Sequence, residues 1–219
     1  MAGEKEQLLR SWDANAKAWC SAVREDLIES RRTVTNAAIV AAVLEQKPGR
    51  VLDIGCGEGW LARQLSAAGA TVTGFDASAP LIEAAQRAGG GSFLALSYDE
   101  VVANPRALGG VFDTMVANFS LLDDRVGDLL RALRTVLEGR LVVQTTHPLS
   151  VAGDSYVDGW RTETFAGFPG EWPEAMPWYF RTIGSWCRLL EDAGFSRISI
   201  REPMQQSRPM PASLLLLAS

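Results

Sequence analysis

The chain has 219 residues, 47% hydrophobic and 21% charged, with a formal net charge of −5. That suits a single soluble α/β domain, or a domain with a small appendage, long enough to bury a sizeable core. With Arg31 and Arg32 as its one arginine pair and no lysine or arginine run, the sequence has no stripe to track phosphates, which disfavours a nucleic-acid substrate.

Residues 5–46 read as helical, rich in Ala, Leu and Glu and free of Pro and Gly until "KPG" at 47–49. A break near 31–35 is expected to divide them, with Thr33 or Thr35 as N-cap. Trp12 and Trp19, two turns apart, share one helical face, either as core packing or as a lid over a ligand. The charged start "MAGEKEQLLRSWD" lacks the apolar stretch of a signal peptide. Cys20, Cys56 and Cys187 are scattered and form no CxxC pair, so a reducing cytoplasmic setting is expected.

From residue 50 strands and helices alternate. Strands are expected at "RVLDIGC", 71–76, 92–96, 111–119 and 139–146, and helices at 59–68, 79–88, 98–103 and 123–137. Near-continuous apolar strands in such alternation imply a parallel sheet covered on both faces. The pattern breaks at 148–180, where four prolines, four glycines and many aromatics predict a long irregular lid. "TIGSWCRLLEDAG" then reads as a helix ending at Gly194, and "FSRISIREP" and "ASLLLLAS" as two last strands. The last run is too short to span a bilayer, and no membrane partner is expected.

"VLDIGCGEGW" (51–60) is the most informative stretch. Gly55, Gly57 and Gly59 let the backbone turn tightly and approach a ligand, and the following helix aims its first amides at the same place. The third glycine comes one residue too early for a dinucleotide fingerprint. Asp53, two residues before the loop, would repel a pyrophosphate but suits a ligand with an ammonium group. Asp76 ends the second strand, where an acid can accept both hydroxyls of a ribose.

"VLDIGCGEGW", "GFDAS" and "FDTMVANFSLL" resemble motifs I, II and IV of the class I S-adenosylmethionine-dependent methyltransferases, small-molecule type (methyltransferase type 11/12-like). The resemblance implies a Rossmann-like α/β fold: a seven-stranded, mostly parallel sheet of order 3-2-1-4-5-7-6 with the last strand antiparallel and helices on both faces. To this are added an N-terminal helical cap or lid (1–48) on a methyltransferase domain (49–219) and the aromatic-rich insertion (148–180) after the fifth strand. It further implies S-adenosylmethionine as cofactor. Asp53, Gly55, Gly57 and Gly59 would line its methionine half, Asp76 its ribose and Ala77 its adenine. Ser97 and Tyr98 stand where the family usually has an acid near the adenine amino group, an acid that is missing here or displaced to Asp99. Asn118 and Phe119 would sit beside the sulfonium.

The acceptor side is read from the segments after strands four and five. His147, the one histidine, is kept out of helical geometry by Pro148 and is either a base or substrate-orienting group at the crevice edge or a strand-end residue packed under the lid. "NFSLL" replaces the Pro-Pro-aromatic motif of amino-directed DNA methyltransferases, which with the acidic charge argues for a small-molecule acceptor. Trp160, Trp178 and Tyr179 read either as walls of an apolar or aromatic pocket or as plain packing, Arg161 and Arg181 as anchors for an acidic group or as solvated surface, and Arg31 and Arg32, at the helix break, as candidate partners for the cofactor carboxylate or as residues without that role. No metal-ligand spacing stands out. A nicotinamide-dependent oxidoreductase and a non-catalytic cofactor-binding module remain the alternatives.

Overall fold

The protein is described by a computed structural model covering residues 3–153, 155–205 and 209–219. In chain order its elements are α1 (Glu4–Arg24), a π-helical turn (Arg31–Thr35), α2 (Asn36–Leu44), β1 (Arg50–Ile54), α3 (Trp60–Ala67), β2 (Thr71–Asp76), α4 (Ala79–Ala88), β3 (Ser92–Ala95), α5 (Tyr98–Ala103), a 3-10 turn (Pro105–Leu108), β4 (Phe112–Asn118), α6 (Val126–Arg134), β5 (Leu137–Thr145), α7 (Pro148–Val151), β6 (Gly159–Glu163), β7 (Met176–Phe180), α8 (Ile183–Asp192), β8 (Ile198–Arg201) and β9 (Leu214–Ala218). β3-β2-β1-β4-β5-β9-β8 form one sheet. β1 to β5 are parallel, and β9 runs antiparallel to both β5 and β8. This is the expected order, with β8 and β9 as its sixth and seventh strands. Among the described residues no helix is long and apolar enough to cross a membrane.

The apolar strands split their side chains between two layers, as the period of two demands. Leu52, Ile54, Met115, Ala117, Leu141, Val143, Leu214 and Leu216 face α5, α6 and α8. Val51, Val72, Val116, Val142, Leu215 and Leu217 face α2, α3 and α4. Each fully buried Leu or Ile contributes about 2 kcal/mol of transfer free energy. α5 begins with a capping box that its sequence spells out: Ser97 Oγ accepts from the Glu100 amide and the Glu100 carboxylate accepts from the Ser97 amide.

Two regions differ from expectation. The first helix ends at Arg24, and the chain turns at Asp26 with φ +52, a left-handed geometry that Asp tolerates. The break therefore precedes Arg31–Thr35, which is a wide helical turn leading into α2. Thr33 Oγ1 donates to the Glu29 carbonyl 2.8 Å away, and Thr35 stands at the N-cap position of α2 in helical geometry without a side-chain capping hydrogen bond. The second region is 148–180. It contains an antiparallel hairpin, β6–β7, in which Trp160 faces Tyr179 and Arg161 faces Trp178. The loop between the two strands packs Phe165, Phe168 and Trp172 against Leu8 and Trp12 of α1, with Phe165 and Trp172 stacked 4.3 Å apart. Asn15 of α1 donates to the Glu174 carbonyl and accepts from the Glu174 amide. The insertion thus holds α1 in place over the carboxyl ends of the strands.

Candidate active site

At the carboxyl end of β1 the chain leaves the sheet through Gly55 (φ +64) and Gly57 (φ +55). A Cβ on Gly55 would lie 2.5 Å from Ser120 Cβ, so both space and dihedral require glycine there. At Gly57 only the dihedral does, because the nearest atom to a Cβ would be Trp19 Nε1 at 3.6 Å. Gly59 starts α3 and packs against Phe93.

A cavity opens above this turn and beneath α1. It holds about 980 Å³ of atom-free space, part of it open solvent. Asp53, Gly55, Gly57, Asp76, Ala77, Ser97, Tyr98, Asn118 and Phe119 all line it. Of the expected cofactor residues, Gly59 and Arg32 do not line it; the place of Gly59 is behind the loop.

Asp76 ties the site together. Its Oδ2 accepts from the Gly57 amide and its Oδ1 from the Ser78 amide, both at 2.9 Å. Burial raises its carboxyl above the ordinary range, and those two amides pull it partly back. Asp53 is 2% exposed, and its Oδ2 has no hydrogen-bond partner among the described residues. Burial first, then the charge of Asp76, pushes the Asp53 carboxyl up to about 7. Tyr98 donates from Oη to the Ser120 carbonyl at 2.9 Å, and burial raises its phenol. Asp99 does not turn toward the cavity, because Lys5 holds both of its oxygens at 2.7 Å. Phe119 takes a left-handed backbone (φ +55) at the cavity edge, an uncommon conformation for a bulky residue.

The roof comes from α1, through Lys5, Leu8, Leu9, Trp12, Trp19 and Val23. Trp12 and Trp19 share a face as expected, in edge contact at 5.3 Å. Leu8, Trp12, Trp19 and Val23 are spaced along one stripe, and that periodicity is the signal by which Leu8 and Val23 could have been found. Glu58, buried inside the glycine turn, is held by Arg24 of α1 (2.8 Å) and by Arg63 of α3 (2.6 Å), which fastens the roof to the loop. Arg31 lies over the rings of Trp19 and Trp60, 5.5 and 5.1 Å from their centroids. Desolvation pulls its guanidinium down to about 10, and it has no hydrogen bond among the described residues. Arg32 is exposed and does not line the cavity.

The expected acceptor-side residues lie elsewhere. His147 has the extended backbone that Pro148 demands, but its side chain is fully buried, outside the cavity, with Nε2 2.9 Å from Glu202 Oε1. It lacks the access a base for a bound substrate needs. Trp160, Trp178 and Tyr179 do not line the cavity either: Trp160 and Tyr179 pack on each other, and Trp178 joins the aromatic cluster behind α1. Hairpin side chains meet their cross-strand partners first. Arg161 donates to the carbonyls of Val151, Ala152 and Ser155, and buried Arg181 to those of Asp123 and Asp124, so both are committed to backbone. Leu122 and Asp123, which follow β4, line the cavity in place of the hairpin residues.

A family model described as a methyltransferase domain matches residues 28–200. The chain belongs to this methyltransferase family. Among curated proteins nothing matches it. Solved structures share the methyltransferase's fold over nearly its whole length. A complex described as DhpI-SAM-HEP is 20% identical with a TM-score of 0.71, covering 100% of this chain and 99% of that one. The magnesium protoporphyrin IX methyltransferase of Synechocystis PCC 6803 with bound SAH is 22% identical with a TM-score of 0.68, covering 99% of each chain. The 1,6-didemethyltoxoflavin-N1-methyltransferase of Burkholderia thailandensis is 21% identical with a TM-score of 0.65, covering 100% of this chain and 90% of that one.

Proposed function

We propose that this methyltransferase moves the methyl group of S-adenosylmethionine to a small, largely apolar acceptor lodged under α1. The observation that carries the reading is the unpartnered Asp53 Oδ2, buried beside a glycine turn and next to a second acid. A buried carboxylate without a partner is costly, and a ligand ammonium relieves it. The residues fit the cofactor. Asp53 takes the ammonium of its amino-acid end, and Arg31, held between two indoles, faces the carboxylate. Asp76 has lone pairs left for the ribose hydroxyls, and Ala77, Leu81, Ser97 and Tyr98 surround the adenine. A dinucleotide is disfavoured because its pyrophosphate would face both acids. Three neighbours whose names include SAM, SAH or methylation of a small molecule are consistent with this assignment.

The cofactor supplies a methyl carbon made electrophilic by its positively charged sulfur. The chain's part is alignment and exclusion of water. Leu8, Leu9 and Trp12 of α1 and Leu122 after β4 form the apolar wall for the acceptor, with Lys5 and Asp123 as its polar end. On this reading α1 is the cap that closes the site, the 148–180 insertion braces it, and the expected cap of 1–48 is shortened because α2 covers the sheet. Calorimetry with S-adenosylmethionine, S-adenosylhomocysteine and NAD tests the cofactor, and release of S-adenosylhomocysteine in the presence of a pool of small apolar acceptors tests the transfer. Binding of NAD alone, or binding of the cofactor with no turnover across the pool, counts against an enzyme of this kind.

A further inference from the structure

Asn118 ends β4 on the sheet face that Val116 occupies two residues earlier, and Gln144 stands beside it on β5. Gln144 Nε2 donates to Asn118 Oδ1 at 2.8 Å. The orientation of the two amides follows from a third contact. Gln144 Nε2 also lies 3.1 Å from the Thr35 carbonyl oxygen, and a carbonyl oxygen only accepts. The Gln144 group there is therefore the NH2, and its other hydrogen goes to Asn118, whose facing atom must be the oxygen. Ser213 Oγ donates to Gln144 Oε1 at 3.2 Å and completes the set. Thr35, Gln144 and Ser213 are all buried, so water does not compete for these bonds. The consequence falls on Asn118, which lines the cavity: its NH2 is turned away from Gln144 and has no acceptor among the described residues.

We propose that Gln144, anchored by Thr35 and Ser213, is a positioning residue that fixes Asn118 with its NH2 toward the ligand, where it donates to the carboxylate at the amino-acid end of the methyl donor. The inference rests on the cofactor reading above. Ile54 pairs with Ala117, so Gly55 and Asn118 leave their strands side by side. Asp53 points to the same sheet face as Asn118, one strand over and, since it pairs with Val116, two residues back: about 4.8 Å across the sheet and about 6.6 Å along it. A ligand whose ammonium meets Asp53 carries its carboxylate on the same carbon, and an extension of that group past the strand end brings it toward Asn118. Arg31 approaches that point from the turn that also supplies the Thr35 carbonyl.

The test compares two ligands by calorimetry. S-Adenosylhomocysteine has the carboxylate; 5′-methylthioadenosine is the same nucleoside thioether without the amino-acid end. Once ionised, which the buried site requires alkaline pH to ensure, Gln144→Glu cannot donate, so it draws the Asn118 NH2 to itself and turns the oxygen toward the ligand. Asn118→Asp keeps the shape and presents an acceptor directly. Each is expected to weaken S-adenosylhomocysteine roughly 10- to 100-fold, the worth of one hydrogen bond to a charged group, and to leave 5′-methylthioadenosine within about twofold. Adding Gln144→Glu to Asn118→Asp is expected to cost little more, since the two act through one contact. Equal weakening of both ligands, or unchanged S-adenosylhomocysteine binding, overturns the proposal while leaving the cofactor assignment standing. If the wild-type protein binds neither ligand, the cofactor assignment itself is wrong and the proposal falls with it.

Discussion

Replacing Asp53 with Asn should strengthen the free protein and weaken its ligand binding in one step. In the folded state burial and Asp76 hold the Asp53 carboxyl near 7, against 3.8 for an unperturbed Asp. Between those pH values the folded chain keeps a proton that the unfolded chain has released. Stability therefore falls as pH rises through that window and levels off above 7. Each pH unit across it is worth about 1.4 kcal/mol, so the ionised side chain costs the ligand-free fold about 4 kcal/mol at pH 8. Asp53→Asn removes the titration. Urea unfolding at pH 5 and pH 8 should show the wild type losing stability between the two and the variant losing less, with the variant the more stable by about 4 kcal/mol at pH 8. S-Adenosylhomocysteine affinity should fall at least tenfold in the same variant, because an amide cannot balance an ammonium. Wild-type affinity should climb with pH up to about 7, as the ligand needs the ionised acid. A variant that is less stable than wild type at pH 8, or that binds S-adenosylhomocysteine normally, refutes the reasoning.

Gly55→Ala is expected to lower the melting temperature and abolish cofactor binding, since its Cβ meets Ser120, whereas Gly57→Ala carries the dihedral cost alone, of order 1 kcal/mol; thermal melts of the two separate these outcomes. His147→Ala should cost about 1–3 kcal/mol of stability in denaturant titrations and leave turnover near wild type, because the side chain is buried away from the cavity. Leu9 is half-exposed and lines the acceptor wall, so Leu9→Ala should raise the acceptor KM roughly tenfold with S-adenosylhomocysteine affinity unchanged.

The sheet could be read in the sequence because β1 and β2 close on Gly55 and Asp76 and β9 is an unbroken apolar run, and α4 and α5 fall on the expected residues. The glycine turn and its two acids were equally readable, since each is a short-range pattern: two residues from Asp53 to Gly55, and one strand end at Asp76. What failed was long-range. The hairpin β6–β7 is hidden by prolines and glycines that score as loop, and its cross-strand pairing, not its aromatic content, decides where Trp160 and Tyr179 point. Following strand five is not enough to place His147 at the crevice, because Glu202, just after β8, meets its ring. The fastening of α1 by Glu58 joins residues 34 positions apart in the chain, and no local pattern announces it.

The most direct measurement is a crystal structure of the protein with S-adenosylhomocysteine. The ligand's amino nitrogen should lie within hydrogen-bond distance of Asp53 Oδ2, its ribose hydroxyls on Asp76, and its thioether sulfur facing the wall made by Leu8, Leu9, Trp12 and Leu122. A nucleoside bound outside this cavity, or inside it with Asp53 Oδ2 still unpartnered, would contradict the site as described.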